Sequence, residues 1–300
     1  MGKNSGVPWA DHSWGPWRGC HRDSDGCDNC YGERDMKRFG KDHSQVVKAN
    51  DATFYAPLKW KEPARVFCCP WSDFWIEEAD GSWRWRALQV IAQTPHLTYI
   101  IPTKRPERII KVLYEDGALN WPGVGNLILP NVWHLVSVEN QEATDKRVSE
   151  LLRLREYGNW PVLGVSIEPQ IERISIAGYL YKCPECGERP VGGNIMTLSA
   201  KWRFNGKRWE HYHGYPVGHI ETVVDTQLDA VICGCESGKN RRPFNENWAR
   251  LLRDECQAAG VPFYFKQSIQ GGKLVKEPFL DGVQHLSLPW VQPGDLEEIG

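Results

Sequence analysis

The sequence predicts an α/β fold, a complete or partial (β/α) barrel. Three observations carry this. Six short apolar runs recur along the chain, each followed by a polar or glycine turn and most by a helical stretch. Most runs are apolar at consecutive positions, which suits strands covered on both faces. Their starts lie about 30–35 residues apart, the length of one βα unit. An open doubly wound sheet is the competing architecture. No dinucleotide-type glycine fingerprint follows an early strand, which counts against it.

The elements follow in order. ARVFCCP (64–70) reads as the first strand, and WRWRALQVIAQ behind it as a helix. HLTYIIPT (96–103) and RPERIIKVLYED form the second unit, NVWHLVSVEN (131–140) and QEATDKRVSELLRLR the third. PVLGVSIEP (161–169) is the fourth strand and LDAVICGCES (228–237) the fifth. In the helix NENWARLLRDECQAAG, Trp248, Leu251, Leu252, Cys256 and Ala259 make an apolar stripe, and Gly260 ends it as a C-cap. VPFYFKQ (261–267) is the sixth strand. One strand spacing is twice the others, which predicts an insertion over 180–222. The chain then divides into 1–179, an inserted lobe 180–222, and 223–300.

Composition is that of a soluble globular protein: 300 residues, net charge −2, 41% hydrophobic. Such a charge gives no general attraction to nucleic acid, so any such contact must be local. No apolar run reaches membrane length and no signal peptide opens the chain, so a cytoplasmic protein is expected. Ten cysteines then read as thiols and ligands in a reducing compartment. Trp14, Trp17, Trp71, Trp75 and Trp133 sit beside Pro, Gly or charge and suit a site rim as well as a core.

Cys20, Cys27 and Cys30 fall in a C-x6-C-x2-C loop over 18–31. Three thiolates, not four, point to a metal centre completed by a small molecule, such as a [4Fe–4S] cluster with one open iron. They are expected within one metal radius of each other, without a fourth protein ligand. Gly19 and Gly26 permit the turns such a loop needs. A zinc loop with His21 or His12 as fourth ligand is the alternative.

In a (β/α) barrel chemistry collects at the carboxyl ends of the strands. Here those ends carry Ser72 and Asp73; Thr103, Lys104 and Arg105; Ser137, Glu139 and Asn140; Ser166 and Glu168; Glu236 and Ser237; and Lys266 and Gln267. Singly, residues such as Asn140, Glu142 or Asp73 read as helix caps. As a set they predict a ring around one cavity, its mixed charge suited to a zwitterionic ligand. In GCESG the glycine lets backbone approach a ligand, and Glu236 can accept from an ammonium group or contact substrate.

Within the insertion, CPECG supplies Cys183 and Cys186, and HYHGYPVGH supplies His211, His213 and His219. The two cysteines with two of the histidines predict a zinc site that would stabilise a lobe with little core. KWRF-NG-KRWEHYH reads as a basic, aromatic hairpin that could stack bases, or that packs on the barrel. Of Cys68 and Cys69, adjacent in one strand, one should face the core and one the other way. Cys233 and Cys235, flanking Gly234 on one strand face, could reach a cluster but read first as packing residues, as does Cys256.

The ordered set GC-x6-C-x2-CYGER, VFCCPWSDFW, TKRPER, NVWHLVSVENQ, SIEP, GCESG-x3-RP and GVPFYFKQ resembles a family with a three-cysteine motif that is common in phages and prophages. That family is regarded as distantly related to radical-SAM enzymes, on the spore photoproduct lyase side. The resemblance covers roughly 7–40, 57–170 and 225–270. Two positions depart from it: Ile167 and Cys235 stand where the family tends to carry Cys and Gly. The resemblance implies a barrel of radical-SAM type and a [4Fe–4S] cluster on Cys20, Cys27 and Cys30 that binds S-adenosylmethionine. Tyr31, Ser72, Asp73, Glu236 and Ser237 are then expected beside the cofactor. Glu139, Glu168, Glu236, Lys104, Arg105 and Lys266 are expected to act on substrate. A radical-SAM enzyme needs an electron-donor protein, and phage context implies a nucleotide, a nucleic-acid base or a related small molecule as substrate. Two other readings stand beside it: a zinc-stabilised nucleic-acid- or partner-binding protein without a redox role, and a metal-dependent hydrolase or nuclease.

Overall fold

The structure is a computed structural model that describes residues 5–115, 129–180, 228–238 and 240–289, and only the backbone of 202–204, 209–212 and 220–222. Eight strands form one sheet: β1 His12–Trp14, β2 Ala64–Cys68, β3 Leu97–Thr103, β4 Val132–Val138, β5 Val162–Ile167, β6 Ala230–Gly234, β7 Phe263–Gln270 and β8 Lys273–Lys276. Their spatial order is their chain order. β1 to β7 pair in parallel, and β8 folds back antiparallel on β7. The order never reverses, so the sheet has no switch point and the doubly wound alternative falls.

The two margins of the sheet approach each other. Lys276 Nζ on β8 donates to Gly6 O, just before β1, at 2.7 Å. Gly6, Val7 and Trp9 border one cavity together with Leu274 and Lys276. The margins do not pair strand to strand, so the barrel is partial.

The helices that pack on the sheet or border the site include α1 Tyr31–Arg38, α2 Gly81–Ala92, α3 Glu107–Ile110, α4 Gln141–Leu152 and α5 Glu246–Ala259. Local chemistry sets their ends. Asp80, Asn140 and Asn245 accept backbone N–H groups at the starts of α2, α4 and α5. Gly260 ends α5 at φ +71°.

Side chains alternate along each strand, so the two faces can be read separately. One face packs on the helices in a large core that includes Val66, Tyr99, Val136, Val165 and Phe265. The other face holds a smaller core of Trp9, Phe67, Ile100, Trp133, Leu135, Ile232 and Tyr264. This inner face grows polar toward the carboxyl ends. Along β4 it reads Trp133, Leu135, Ser137, Glu139; along β5, Val162, Gly164, Ser166, Glu168; along β6, Ala230, Ile232, Gly234, Glu236.

Trp14, Trp17, Trp75 and Trp133 are buried in the cores and do not rim a site; of the five tryptophans only Trp71 borders the cavity. β1, β8 and α1 lie outside the six repeated units; β1 and β8 are three and four residues long, too short a run to show periodicity. In the insertion, Trp202–Phe204 pairs antiparallel with Trp209–Tyr212, which also pairs with Ile220–Thr222. Cys183, Cys186, His213 and His219, and the His211 side chain, lie outside the described residues.

Candidate functional site

The polar inner-face ends and the three-cysteine loop border one cavity of ≈ 380 Å³. Cys20, Cys27, Cys30, Tyr31, Ser72, Asp73, Lys104, Arg105, Glu168, Glu236, Ser237 and Lys266 all line it. Glu139 does not. It is fully buried beneath Lys104, whose Nζ donates to its Oε2 at 2.7 Å.

Backbone contacts fix the loop. Gly19 has φ +99°, and a Cβ there would lie 2.1 Å from Gln45 O. Gly19 N donates to Trp71 O (2.9 Å), Ser72 Oγ to Gly19 O (2.5 Å), and Cys20 N to His43 O (2.7 Å). A Cβ at Gly26 would lie 2.7 Å from Glu139 Oε2. Both glycines are therefore required by close approach, the second because the loop lies directly on the Lys104–Glu139 pair.

The three loop thiols are free and half-buried. Burial pushes the Cys20 thiol up to about 12, Asp73 adds to the rise, and the Arg105 guanidinium opposes it. Burial also raises Cys30, against the backbone N–H groups of Glu33 and Gly32 in the first turn of α1. A bound metal would hold both as thiolates.

Among the described residues no three Cys, His, Asp or Glu side chains converge on a single ion position. The three thiols border the same cavity. His21 Nε2 faces Glu78 Oε1 at 2.9 Å, and the His12 ring packs on Trp60 at 4.6 Å, so neither joins the cysteines in a zinc site.

Asp73 takes five bonds: from Thr103 Oγ1 to both oxygens (2.8 and 2.9 Å), from Trp75 N (2.9 Å), from Lys104 N (3.0 Å) and from Arg105 Nη1 (3.2 Å). It anchors strand ends rather than capping a helix. Asn140 does cap α4. Glu236 is likewise occupied: Arg242 Nε and Nη2 bond its Oε1 (3.0 and 2.5 Å), and Arg242 N and Asn29 Nδ2 its Oε2 (2.7 and 3.0 Å). Burial alone would raise the Glu236 carboxyl, but the bonds from Arg242 and Asn29 hold it below its usual value. Burial acts the same way on Glu139, and Lys104 and Arg147 overcome it.

Glu168 and Lys266 face the cavity as a pair, Nζ 3.1 Å from each carboxylate oxygen, with Ser166 Oγ at 3.3 Å. A Cβ at Gly234 would lie 2.9 Å from Glu168 Oε1, so this glycine makes room for the carboxylate. Ser237 lines the cavity and its carbonyl accepts from Arg34 (3.3 Å). Tyr31 is partly exposed, while burial of its hydroxyl pushes the phenol upward.

The sequence reading left out Arg147, Asn29 and Trp9, and quoted Arg242 without giving it a role. Cys69 and Cys235 also line the cavity, while Cys68 and Cys233 lie in the large core. Cys69 leaves β2 at φ +54°, which turns it toward the cavity side. Nothing in QEATDKRVSE separates Arg147 from its exposed neighbour Lys146; only the fold does.

The fold and the cavity define an α/β protein with a partial barrel and a thiol-bearing pocket at its strand ends. The chain belongs to the family described as "Protein of unknown function (DUF5131)", whose model matches residues 4–289. No curated protein matches it. Among solved structures it is similar to spore photoproduct lyase complexed with dinucleoside spore photoproduct, at 17% identity and a TM-score of 0.41. That match covers 58% of this chain and 49% of the lyase chain. A doubly substituted mutant of that lyase with bound AdoMet and dinucleoside spore photoproduct matches at 15% identity and a TM-score of 0.37, over 56% of this chain and 48% of the lyase. The chain thus spans about half the length of the structures it resembles. No helix among the described residues is long and apolar enough to cross a membrane.

Proposed function

We propose that this chain is a radical-SAM-type iron–sulfur enzyme in which Cys20, Cys27 and Cys30 hold a [4Fe–4S] cluster. The observation that carries the reading is the shared cavity: three free thiols of one glycine-shaped loop border the same space as the polar ends of the parallel strands. The donor set fits, since the ligands are three soft, free thiols that border one cavity. When bound, the cluster and S-adenosylmethionine would supply a carbon radical that abstracts hydrogen from a substrate.

The chain's own residues serve such chemistry in two ways. Trp9, Phe67, Tyr31 and Trp71 wall the cavity and limit its water. Glu168, Lys266, Ser166 and Gln267 supply donors and acceptors within it. A net-neutral array of this kind, one cation against one anion, suits a neutral or zwitterionic ligand better than a purely anionic one. The substrate in this reading is a nucleotide, a nucleic-acid base or a related small molecule, and the electron comes from a donor protein.

The test is iron and sulfide analysis of anaerobically purified protein, with an absorption spectrum. A broad band near roughly 400 nm, lost in a Cys20→Ser, Cys27→Ser, Cys30→Ser variant, is expected, because zinc thiolates are colourless there. Release of 5′-deoxyadenosine from S-adenosylmethionine under reductant then tests the cleavage. Protein that reconstitutes no iron, or holds zinc in its place, would overturn the reading.

A further inference from the structure

Three carboxylates at the ends of different strand segments each hold an arginine, and each arginine reaches a different part of the cysteine loop. After β2, Asp73 holds Arg105, which donates through Nη2 to His21 O (3.2 Å) and brings Nη1 to 3.9 Å from Cys20 Sγ. At the end of β4, Glu139 holds Arg147 on α4 (3.0 Å), which donates to Ser24 Oγ (2.8 Å) and to the Asp23 carboxylate. After β6, Glu236 holds Arg242, which donates to Asp25 O (3.0 Å) and lies 3.8 Å from Asp28. Asn29 in the loop closes back on Glu236 at 3.0 Å. The contacts fall at 20–21, at 23–24 and at 25–29, so they bracket Cys27 on both sides.

The carboxylate side chains are almost fully buried, at 6%, 0% and 5% exposure for Asp73, Glu139 and Glu236. An arginine fork can bond a buried carboxylate with one edge and a loop oxygen with another, which a lysine ammonium cannot do with the same fixed geometry. The Glu168–Lys266 pair makes no such contact with the loop among the bonds of the described residues.

We propose that the pairs Asp73–Arg105, Glu139–Arg147 and Glu236–Arg242 are positioning residues that clamp residues 18–31 from three sides and present Cys20, Cys27 and Cys30 as a fixed array before any metal binds. The purpose of the array rests on the function proposed above; the clamp can be tested without it. Arg105, Glu139 and Glu236, read from sequence as groups acting on substrate, serve the loop in this assignment.

The experiment uses the full-length, metal-free protein with Arg105, Arg147 or Arg242 replaced singly by Met and, in parallel, by Lys. Thiol alkylation is followed cysteine by cysteine by mass spectrometry. Cys233 and Cys256, fully buried in the large core, report global opening. Loss of a charge-assisted fork should speed labelling of the loop thiols roughly tenfold or more, with the Lys variants between Met and wild type and the core thiols unchanged. Loop labelling at the wild-type rate in all three Met variants would overturn the proposal. So would loop and core thiols accelerating together, in Met and Lys variants alike, since the pairs would then only support the fold. Absence of iron in reconstituted wild-type protein would remove the cluster reading and leave the labelling result standing.

Discussion

Replacing Gly19 by Ala tests the loop's seat, and Gly40 supplies its control. Both have positive φ, +99° and +64°. They differ in space. A Cβ at Gly40 meets nothing within 4 Å, whereas one at Gly19 would lie 2.1 Å from Gln45 O, 2.6 Å from Gln45 C and 2.9 Å from Val46 Cα. All three are backbone atoms, so no rotamer change relieves them. Gly40→Ala should cost only the left-handed strain, about 1–2 kcal/mol. Gly19→Ala adds overpacking of about 1–3 kcal/mol. It also threatens the bonds Gly19 N–Trp71 O, Ser72 Oγ–Gly19 O and Cys20 N–His43 O, each worth about 1 kcal/mol. The expected total is roughly 2–8 kcal/mol, depending on how many of the three bonds are lost, or a local release of the loop where opening costs less than that. Urea unfolding reads the first outcome, and reconstituted iron per chain reads the second. Gly19→Ala protein as stable as Gly40→Ala protein, with wild-type iron content, would refute the argument from close approach.

Burial raises the Glu255 carboxyl from 4.5 to about 7, while Ser175 Oγ and Ile176 N partly offset it. Its contribution to stability is therefore complete below about pH 4.5 and lost as pH rises through 7, a change of about 3 kcal/mol. Denaturant midpoints of wild type against Glu255→Gln should diverge across that window, and a constant difference would count against it. Burial lowers His134 from 6.5 to about 3, between the rings of Trp75 and Trp160. This group acts in the opposite sense: stability falls by about 1.4 kcal/mol per pH unit as pH drops below 6.5, and His134→Leu should remove that slope. Lys266→Met should leave reconstituted iron at the wild-type level and lower 5′-deoxyadenosine release by tenfold or more; loss of iron would instead make Lys266 part of the loop's support.

Much of the barrel was legible because each βα unit repeats the same apolar run and helical stripe. Val162–Ile167 and Ala230–Gly234 fall inside their expected runs, and Gly260 stops α5 where the C-cap reading put it. β1 was not legible, because His12–Trp14 gains its place from pairing with β2 and not from its own pattern. The strand-end polar residues could be located by their position after each run. Their partners could not, since a partner is a matter of which helix face or loop folds over which strand. Arg147 lies 123 residues from Ser24 and Asn29 lies 207 from Glu236, separations that no local pattern encodes.

The same physical constraint explains why the charged ring divides. A loop of about fourteen residues that must present three sulfurs has too few apolar side chains to hold itself by burial. Its order must come from bonds to a rigid frame, and the nearest frame is the set of parallel strand ends. Carboxylates buried there are costly unless paired. An arginine that neutralises one and still has donors to spare meets both needs, the carboxylate's and the loop's. Occupancy then decides which charges remain for chemistry. Glu236 already accepts four bonds and Asp73 five, so neither is free to take a ligand's ammonium group without releasing the loop. Among the described residues Glu168 is bonded only by Ser166 and Lys266, and the absence of a side chain at Gly234 makes room for its carboxylate. A ligand can enter that pair by exchanging one hydrogen bond for another. The acid that the sequence placed first, Glu236, is thus the better latch, and Glu168 the better group to meet a substrate.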